Sequence, residues 1–321
     1  MPNASKPALL LIGLGNIGFR HLQGLEPLAA QVSLDGMDPS QAARDRAQTQ
    51  WSAYPGSQAR FAETLSKVGG DPRIVILATP ADGREALIEA VLADRKAGAL
   101  VIEKIAFNAR QSFPRIASLL EAHAIQAVVN CPRRLWPRYR TLAERIRAAD
   151  APVRLTVRGR NIGLACNGVH FIDLLQMLAG EPEVRLTHAE ISDPFPAKRE
   201  GYYEVFGVST YATPAGSTLD LIVEAEGPEQ TEIRLEFGDT VLTIVEATGV
   251  MSDGRGEVVD VVRAVYQSEL TGQVAESLLA GQDSGLPDLA VSARAHEALF
   301  DALEPAFARV GLLEGGRLPI T

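Results

Sequence analysis

The stretch Ala8-Leu9-Leu10-Leu11-Ile12-Gly13-Leu14-Gly15-Asn16-Ile17-Gly18 decides the fold. Its opening apolar run reads as a buried strand, and it feeds directly into Gly13-x-Gly15-x-x-Gly18. Gly13 permits a tight turn, Gly15 lets the backbone approach a pyrophosphate, and Gly18 lets the next helix pack closely on the strand. The free N–H groups where that helix begins, at Asn16 and Ile17, then face phosphate charge. Residues 19–30 have helical composition, and Val32-Ser33-Leu34-Asp35-Gly36-Met37 reads as a second strand ending at Asp38. An acid at that tip, about 20 residues past the glycines, is placed to accept hydrogen bonds from a ribose. This dinucleotide reading is preferred over the plainer one, a tight strand–helix turn with a solvated aspartate.

Asp38 also bears on which dinucleotide is expected. A carboxylate accepts from ribose hydroxyls and repels a 2′-phosphate, which favours NAD over NADP. Pro39 and Ser40 supply no arginine, although Arg44, further into the following helix, is within reach of a phosphate.

At 321 residues, the chain has the length of two domains rather than one. A hydrophobic fraction of 46% and a charged fraction of 22% are those of an ordinary globular enzyme. A formal charge of −9 argues against nucleic-acid binding, which calls for a basic face. No apolar run approaches the roughly 20 residues needed to span a bilayer. The stretch Met1-Pro2-Asn3-Ala4-Ser5-Lys6-Pro7 lacks a basic region followed by a signal-type apolar core, so a cytoplasmic location is the expectation. Cys131 and Cys166 are the two cysteines, with no metal-ligand spacing around them. Neither a metal site nor a disulfide framework is expected.

Through residue 130, short apolar runs alternate with helical stretches, the pattern of a doubly wound parallel sheet covered on both faces. Strands are expected near 8–12, 32–37, 59–61, 73–78, 100–103 and 127–130, with helices at 41–49, 84–97 and 113–123. On the helix over 84–97, Ala86, Leu87, Ala90, Val91 and Leu92 supply much of the apolar face. From residue 131 the character changes. Helical stretches at 142–149 and 169–178 surround a strand at 153–158. Strand patterns at 205–211, 218–225, 232–237 and 241–245 are separated by short turns, which reads as a large antiparallel sheet. Helix returns at 273–279 and 290–310. The expected fold is α/β, an N-terminal Rossmann domain over 1–130 and an α+β domain over 131–321. C-terminal helices of the second part are free to pack back on the first.

Further segments carry candidate chemistry. Ala78-Thr79-Pro80 follows a buried strand, where a loop can shape the nicotinamide end of a dinucleotide or serve only as a βα turn. Glu103 and Lys104 end the next strand; neighbours there point to opposite faces, so they are not expected to pair. Lys104 can reach a substrate hydroxyl, and a plain surface lysine is the competing reading. Arg133 and Arg134 follow Asn130-Cys131-Pro132, placed either to bind a substrate oxyanion or to tie two domains together. His170 and Asp173 lie three apart on one helical face, so the aspartate can orient the imidazole as a general base requires.

Taken together, these segments resemble the Gfo/Idh/MocA family of nicotinamide-dependent sugar oxidoreductases. The likeness is carried by the Gly13–His21 turn and helix, Ala78-Thr79-Pro80, Glu103-Lys104, Asn130 with Arg134, the run from Gly168 through His170 to Asp173, and Leu286-Pro287-Asp288-Leu289. It runs from residue 8 to about 310. The resemblance implies a Rossmann domain followed by a domain with an open antiparallel sheet, which in the family often packs against another subunit as a dimer or tetramer. It also implies that Gly13, Gly15, Asn16, Ile17, Gly18, Asp38, Ala78, Thr79, Pro80, Glu103 and Lys104 contact the cofactor. Lys104, Arg134, Cys166, Asn167, His170 and Arg199 would contact substrate. Lys104, His170 and Asp173 would carry catalysis.

The chain departs from the family pattern in three places. Ile105 stands where proline usually follows Glu-Lys, which removes a backbone restriction beside Lys104. Arg84 stands where histidine is frequent. Cys166 stands where many members place an aspartate four residues before the histidine, and the neighbouring Asn167 can hydrogen-bond a hydroxyl but cannot take its proton.

The resulting expectation is an NAD(H)-dependent oxidoreductase acting on a carbinol or carbonyl carbon of a sugar derivative. The run Pro196-Ala197-Lys198-Arg199-Glu200-Gly201-Tyr202-Tyr203 is similar to members found in bacterial surface-carbohydrate pathways, which suggests an acidic or nucleotide-linked sugar. The plainer reading of that run is a solvated charged loop with core aromatics. Two rivals stay open. Cys166 motivates a catalytically silent NAD-binding sensor, and the fold leaves room for a non-sugar substrate such as a cyclic imine or a tetrapyrrole. Against the second, the polar set Arg133, Arg134, Arg160, Asn161 and Asn167 favours hydroxyls or anions.

Overall fold

In the computed structural model, which describes residues 6–160, 162–261 and 263–321, the first apolar run forms β1 (Ala8–Ile12). Asn161, named above in a polar set, and Met1 to Ser5 of the N-terminal stretch lie outside the described residues. After β1 come α1 (Asn16–Gly24), β2 (Ser33–Met37), α2 (Gln41–Ser52), β3 (Ala59–Ala62) and β4 (Ile74–Leu77). Then follow α3 (Arg84–Asp94), β5 (Ala99–Glu103), α4 (Ser112–Ala122) and β6 (Gln126–Asn130). The six strands pair in parallel in the order β3-β2-β1-β4-β5-β6. Every residue of β4 and β5 is buried, as expected of a parallel sheet covered on both faces. The chain direction of the winding reverses between β1 and β4, and in sheets of this type ligands bind beyond the carboxyl ends of the strands at that point.

The remaining elements are α5 (Pro137–Ala149), β7 (Arg154–Arg158), α6 (Leu164–Ala179), β8 (Arg185–Ile191), β9 (Phe195–Pro196), β10 (Tyr203–Glu204) and β11 (Gly207–Ala212). They continue through β12 (Thr218–Val223), β13 (Glu232–Phe237), β14 (Thr240–Val245), β15 (Val250–Asp253), β16 (Val258–Val261), α7 (Gln267–Leu279) and α8 (Leu289–Arg309). Eight strands form one sheet in the order β16-β15-β14-β13-β7-β12-β11-β8, antiparallel except where β7 and β12 run in parallel. Alternation is clean in β12 and β13. Leu219, Leu221, Ile233 and Leu235 are buried on one face, while Asp220, Ile222, Arg234 and Glu236 on the other are half-buried or exposed.

The chain divides into two compact units. The first takes in residues up to 107, 114–132 and 265–289, and the second 108–113, 133–264 and 290–321. The helix α7 therefore belongs with the Rossmann sheet, where it packs on α1. No helix among the described residues is long and apolar enough to cross a membrane.

Two local expectations are corrected. The buried positions of α3 are Arg84, Glu85, Ile88, Val91 and Leu92, whereas Ala86 and Ala90 are exposed. An apolar stripe was expected because alanines count as hydrophobic, yet two ionisable residues occupy the buried side. The strands β8, β15 and β16 were not expected. Most of β8 is exposed, so it lacks the period-two alternation that marks a half-buried strand.

One polar cluster is buried inside the first unit. His21 on α1 is fully buried, and its Nε2 lies 2.9 Å from Glu103 Oε1 at the end of β5. Its Nδ1 lies 3.0 Å from Thr271 Oγ1 on α7. Asn130 Nδ2, at the end of β6, donates to the same Glu103 oxygen and also to Gln267 Oε1 at 2.8 Å. Burial alone raises the pKa of Glu103, but the hydrogen bond and charge of His21, with help from Asn130, outweigh it and hold the carboxyl below its ordinary value. A carboxylate with a depressed pKa stabilises the fold fully above its unfolded value. That contribution is lost as pH falls through the folded one.

Replacing Glu103 with Gln should therefore lower the unfolding free energy at pH 7 by about 2 kcal/mol, the worth of a charged buried hydrogen bond. Urea unfolding of both proteins as the pH is lowered through and below the ordinary carboxylate range should show the gap closing, because the native carboxylate protonates only there. A gap that is absent at pH 7, or that widens in acid, contradicts this assignment.

Candidate functional site

The turn after β1 is built by crowding. Gly13 has φ +89°, and a Cβ there would lie 2.7 Å from Ala78 O; a Cβ on Gly18 would lie 1.8 Å from Gly13 O. Gly15 differs, since a Cβ on it would meet nothing within 4 Å. Gly15 is also the N-cap of α1, which has no side-chain cap among the described residues. Gly15, Asn16 and Ile17 are all exposed, with Ile17 39% exposed despite its size. An open cradle at an uncapped helix N-terminus fits an anionic ligand.

Asp38 is tied to this turn. Its Oδ2 accepts from Leu14 N at 2.7 Å and its Oδ1 from Ser40 N at 2.8 Å. Arg44, considered above for a 2′-phosphate, is instead buried, with Nη1 donating to the carbonyls of Asp38 at 2.6 Å and Pro39 at 2.9 Å. Its charge is spent on shaping the tip of β2. Arg46, which sequence reasoning overlooked, donates to Leu14 O at 2.9 Å and Gly15 O at 3.2 Å, and its guanidinium sits 4.3 Å above the Phe19 ring.

Beyond β4, Ala78 is buried, and Thr79 and Pro80 are half-buried. Thr79 Oγ1 is buried with no hydrogen-bond partner among the described residues. Beyond β5, Lys104 is half-buried, whereas the Glu103 carboxylate turns into the His21–Asn130 cluster. The peptide between Lys104 and Ile105 is cis. These two loops share one partner. Arg84, fully buried at the start of α3, donates from Nη1 to Glu103 O at 2.6 Å, to Ala106 O at 2.8 Å and to Ile105 O. Its Nη2 donates to Thr79 O.

In the second unit, α6 starts at an αL glycine, Gly163, and carries Cys166, Asn167, His170 and Asp173. Asp173, expected to orient His170, has a guanidinium partner as well. Both Asp173 oxygens accept from Arg134 Nε, at 2.8 and 2.9 Å. Burial pushes the Asp173 carboxyl up to about 6, against the pull of the Arg134 guanidinium. Arg133 likewise grips Glu246 with two bonds, at 2.7 and 2.8 Å, and lies 4.4 Å over the Phe171 ring. Sequence reading offered both arginines to a substrate or a domain tie. Their observed partners are acids of their own unit, because a buried carboxylate needs a cation more than solvent does.

A cavity of about 770 Å³ opens in the second unit. Cys166, Asn167, Lys198, Arg199 and Tyr202 line it together. The β9–β10 hairpin holds the cationic loop, with Arg199 5.4 Å above the Tyr202 ring and both Lys198 and Arg199 exposed. Asn167 Nδ2 donates to Ile162 O at 2.7 Å, and Arg160, also on the lining, pairs with Glu229 at 2.9 Å. Glu204 is among the lining residues that sequence reasoning missed. Its carboxylate accepts from the backbone N–H groups of Ala165 at 2.9 Å and Cys166 at 3.1 Å, so it caps α6 from 38 residues away in sequence. No local pattern marks such a cap. Among the described residues, no group of three or more His, Cys, Asp or Glu is placed to hold a metal ion.

No protein-family model and no curated protein matches the chain. Solved structures do. GenD2 from gentamicin A biosynthesis, in complex with NAD, is 17% identical with a TM-score of 0.71, covering 95% of this chain and 97% of its own. The WlbA dehydrogenase from Bordetella pertussis, in complex with NADH and UDP-GlcNAcA, is 17% identical with a TM-score of 0.71, covering 97% and 98%. The UDP-N-acetylglucosamine 3-dehydrogenase GnnA from Acidithiobacillus ferrooxidans is 14% identical with a TM-score of 0.69, covering 93% and 97%. Across nearly its whole length, this chain has the fold of these proteins.

Proposed function

We propose that the protein is an NAD(H)-dependent oxidoreductase of a sugar derivative, acting at a carbinol or carbonyl carbon. The observation that carries this reading is the open cradle at Gly15, on a turn whose other glycines are crowded and whose preceding amide, Leu14 N–H, is held by Asp38. When bound, a nicotinamide dinucleotide supplies a hydride donor or acceptor. Gly13 to Gly18 and the start of α1 take its pyrophosphate, and Asp38 accepts from the adenosine ribose. The orphaned Thr79 hydroxyl, with Ala78 and Pro80, lies at the carboxyl end of β4, where the nicotinamide half is received. With Arg44 spent on carbonyls, the site favours NADH over NADPH.

Lys104 donates a hydrogen bond to the reacting oxygen and stabilises its alkoxide character, and His170 takes the proton in the oxidative direction. Asp173, paired with Arg134, anchors α6, the helix that carries His170. The cationic, aromatic-lined cavity beside Cys166 and Asn167 supports an anionic substrate, gripped by Lys198 and Arg199. Solved proteins of this fold include a UDP-N-acetylglucosamine 3-dehydrogenase and a dehydrogenase crystallised with UDP-GlcNAcA, which supports an acidic or nucleotide-linked sugar. A part in bacterial surface-carbohydrate metabolism and a homo-oligomer built through the open sheet face belong to the same proposal.

Replacing Asp38 with Ser should relax the preference for NADH over NADPH, because the charge that repels a 2′-phosphate is removed. Fluorescence titrations with both cofactors check this, and tighter binding of NADPH by the unsubstituted protein contradicts it.

Turnover is tested on a panel of free sugars, acidic sugars and nucleotide sugars by following nicotinamide absorbance. Lys104→Ala and His170→Ala should each reduce kcat by about 10²- to 10⁴-fold, with cofactor affinity little changed. Arg199→Ala should raise KM for the best substrate more than it lowers kcat, as for a contact made equally in ground and transition states. Cofactor binding without turnover across the panel would identify the silent sensor instead.

A further inference from the structure

We infer that Arg84 is the positioning residue of the dinucleotide site's reactive end, setting the backbone on both sides of Lys104 and beneath Thr79; this rests on the function proposed above. Arg84 holds no place among the expected site residues and entered the sequence reading only as a departure from a frequent histidine. The structure puts it out of solvent and gives its guanidinium four main-chain carbonyls. Those carbonyls belong to two loops. Thr79 follows β4, and Glu103, Ile105 and Ala106 follow β5, so one planar group staples the two loops together.

The geometry calls for a guanidinium. Arginine presents five N–H donors in a rigid fork, while lysine offers three on a point charge and histidine at most two. A lysine at position 84 therefore satisfies part of this set and leaves buried carbonyls unpaired, which is costly. The segment held so closely contains Lys104, bracketed by the bonded carbonyls of Glu103 and Ile105. A displacement of about 1 Å in a reacting group can cost about 10²-fold in rate. The Glu103 side chain is fixed separately by His21 and Asn130, so backbone and side chain at the end of β5 have independent anchors.

The test uses Arg84→Lys and Arg84→Ala, with ADP-ribose and NADH as separate binding probes. Arg84→Lys should weaken NADH by about tenfold and leave ADP-ribose unchanged, because Arg84 acts at the nicotinamide end alone. Equal weakening of both probes would show a merely structural role and overturn the inference, as would unchanged NADH affinity. Turnover should fall by about 10²-fold in Arg84→Lys, yet the same substitution should have almost no effect in a Lys104→Ala background, as coupled residues require. Full additivity with Lys104→Ala contradicts the inference. Methylguanidinium added to Arg84→Ala should restore NADH affinity in part, and an absence of rescue in a folded Arg84→Ala protein counts against it. If Arg84→Ala does not fold, the Arg84→Lys probe comparison decides alone. Should the unsubstituted protein bind neither probe, the proposed function fails first, and that outcome is distinct from the ones above.

Discussion

The turn from β1 into α1 runs so close to the end of β4 that side chains have no room there. A Cβ on Gly18 would meet Gly13 O at 1.8 Å, and one on Gly13 would meet Ala78 O at 2.7 Å. That closeness fixes where α1 starts, and with it the exposed run Gly15-Asn16-Ile17 at the switch point of the sheet. Neighbouring groups also hold the turn. Asp38 accepts from Leu14 N, and Arg46 donates to the carbonyls of Leu14 and Gly15. Gly15 is the exception within the triplet. A Cβ there would meet no protein atom within 4 Å, which leaves room for the pyrophosphate of the proposed dinucleotide.

Elsewhere, buried charge is allocated to architecture. Arg84, Glu103, Asp173 and Arg44 are all buried, and each has a partner within its own unit. In a medium of low dielectric, an unpaired charge costs several kcal/mol, so the fold satisfies these groups before any ligand arrives. The groups that remain on open surfaces are of another kind. Lys198 and Arg199 are exposed on a cavity wall, and Lys104 and His170 are half-buried. The proposed function assigns its ligand chemistry to this second set.

The Rossmann half was legible because its signals are local. A buried apolar run, a glycine spacing and an acid about 20 residues further on all lie within one βαβ unit. The antiparallel half was legible where one strand face is buried, as in β12 and β13, and not where both faces meet solvent, as along β8. The candidate site residues on the turn rest on equally local signals. The partners of Asp173, Arg133 and Glu204 do not, since they lie 39, 113 and 38 residues away in sequence. Spacing on a helix suggested that Asp173 serves His170, but it gave no sign of the guanidinium from before α5 that competes for this carboxylate. Only tertiary structure reveals such competition. The same holds for Arg84, whose acceptors are main-chain carbonyls that carry no residue signature.

The most direct test of the dinucleotide site is NADH affinity after Gly15→Ala, measured by fluorescence titration alongside the melting temperature. The new methyl meets no protein atom within 4 Å, so the melting temperature should stay essentially unchanged. It enters the space assigned to the pyrophosphate, so NADH should bind at least about tenfold more weakly. Undiminished NADH affinity in a protein that remains folded would contradict the account.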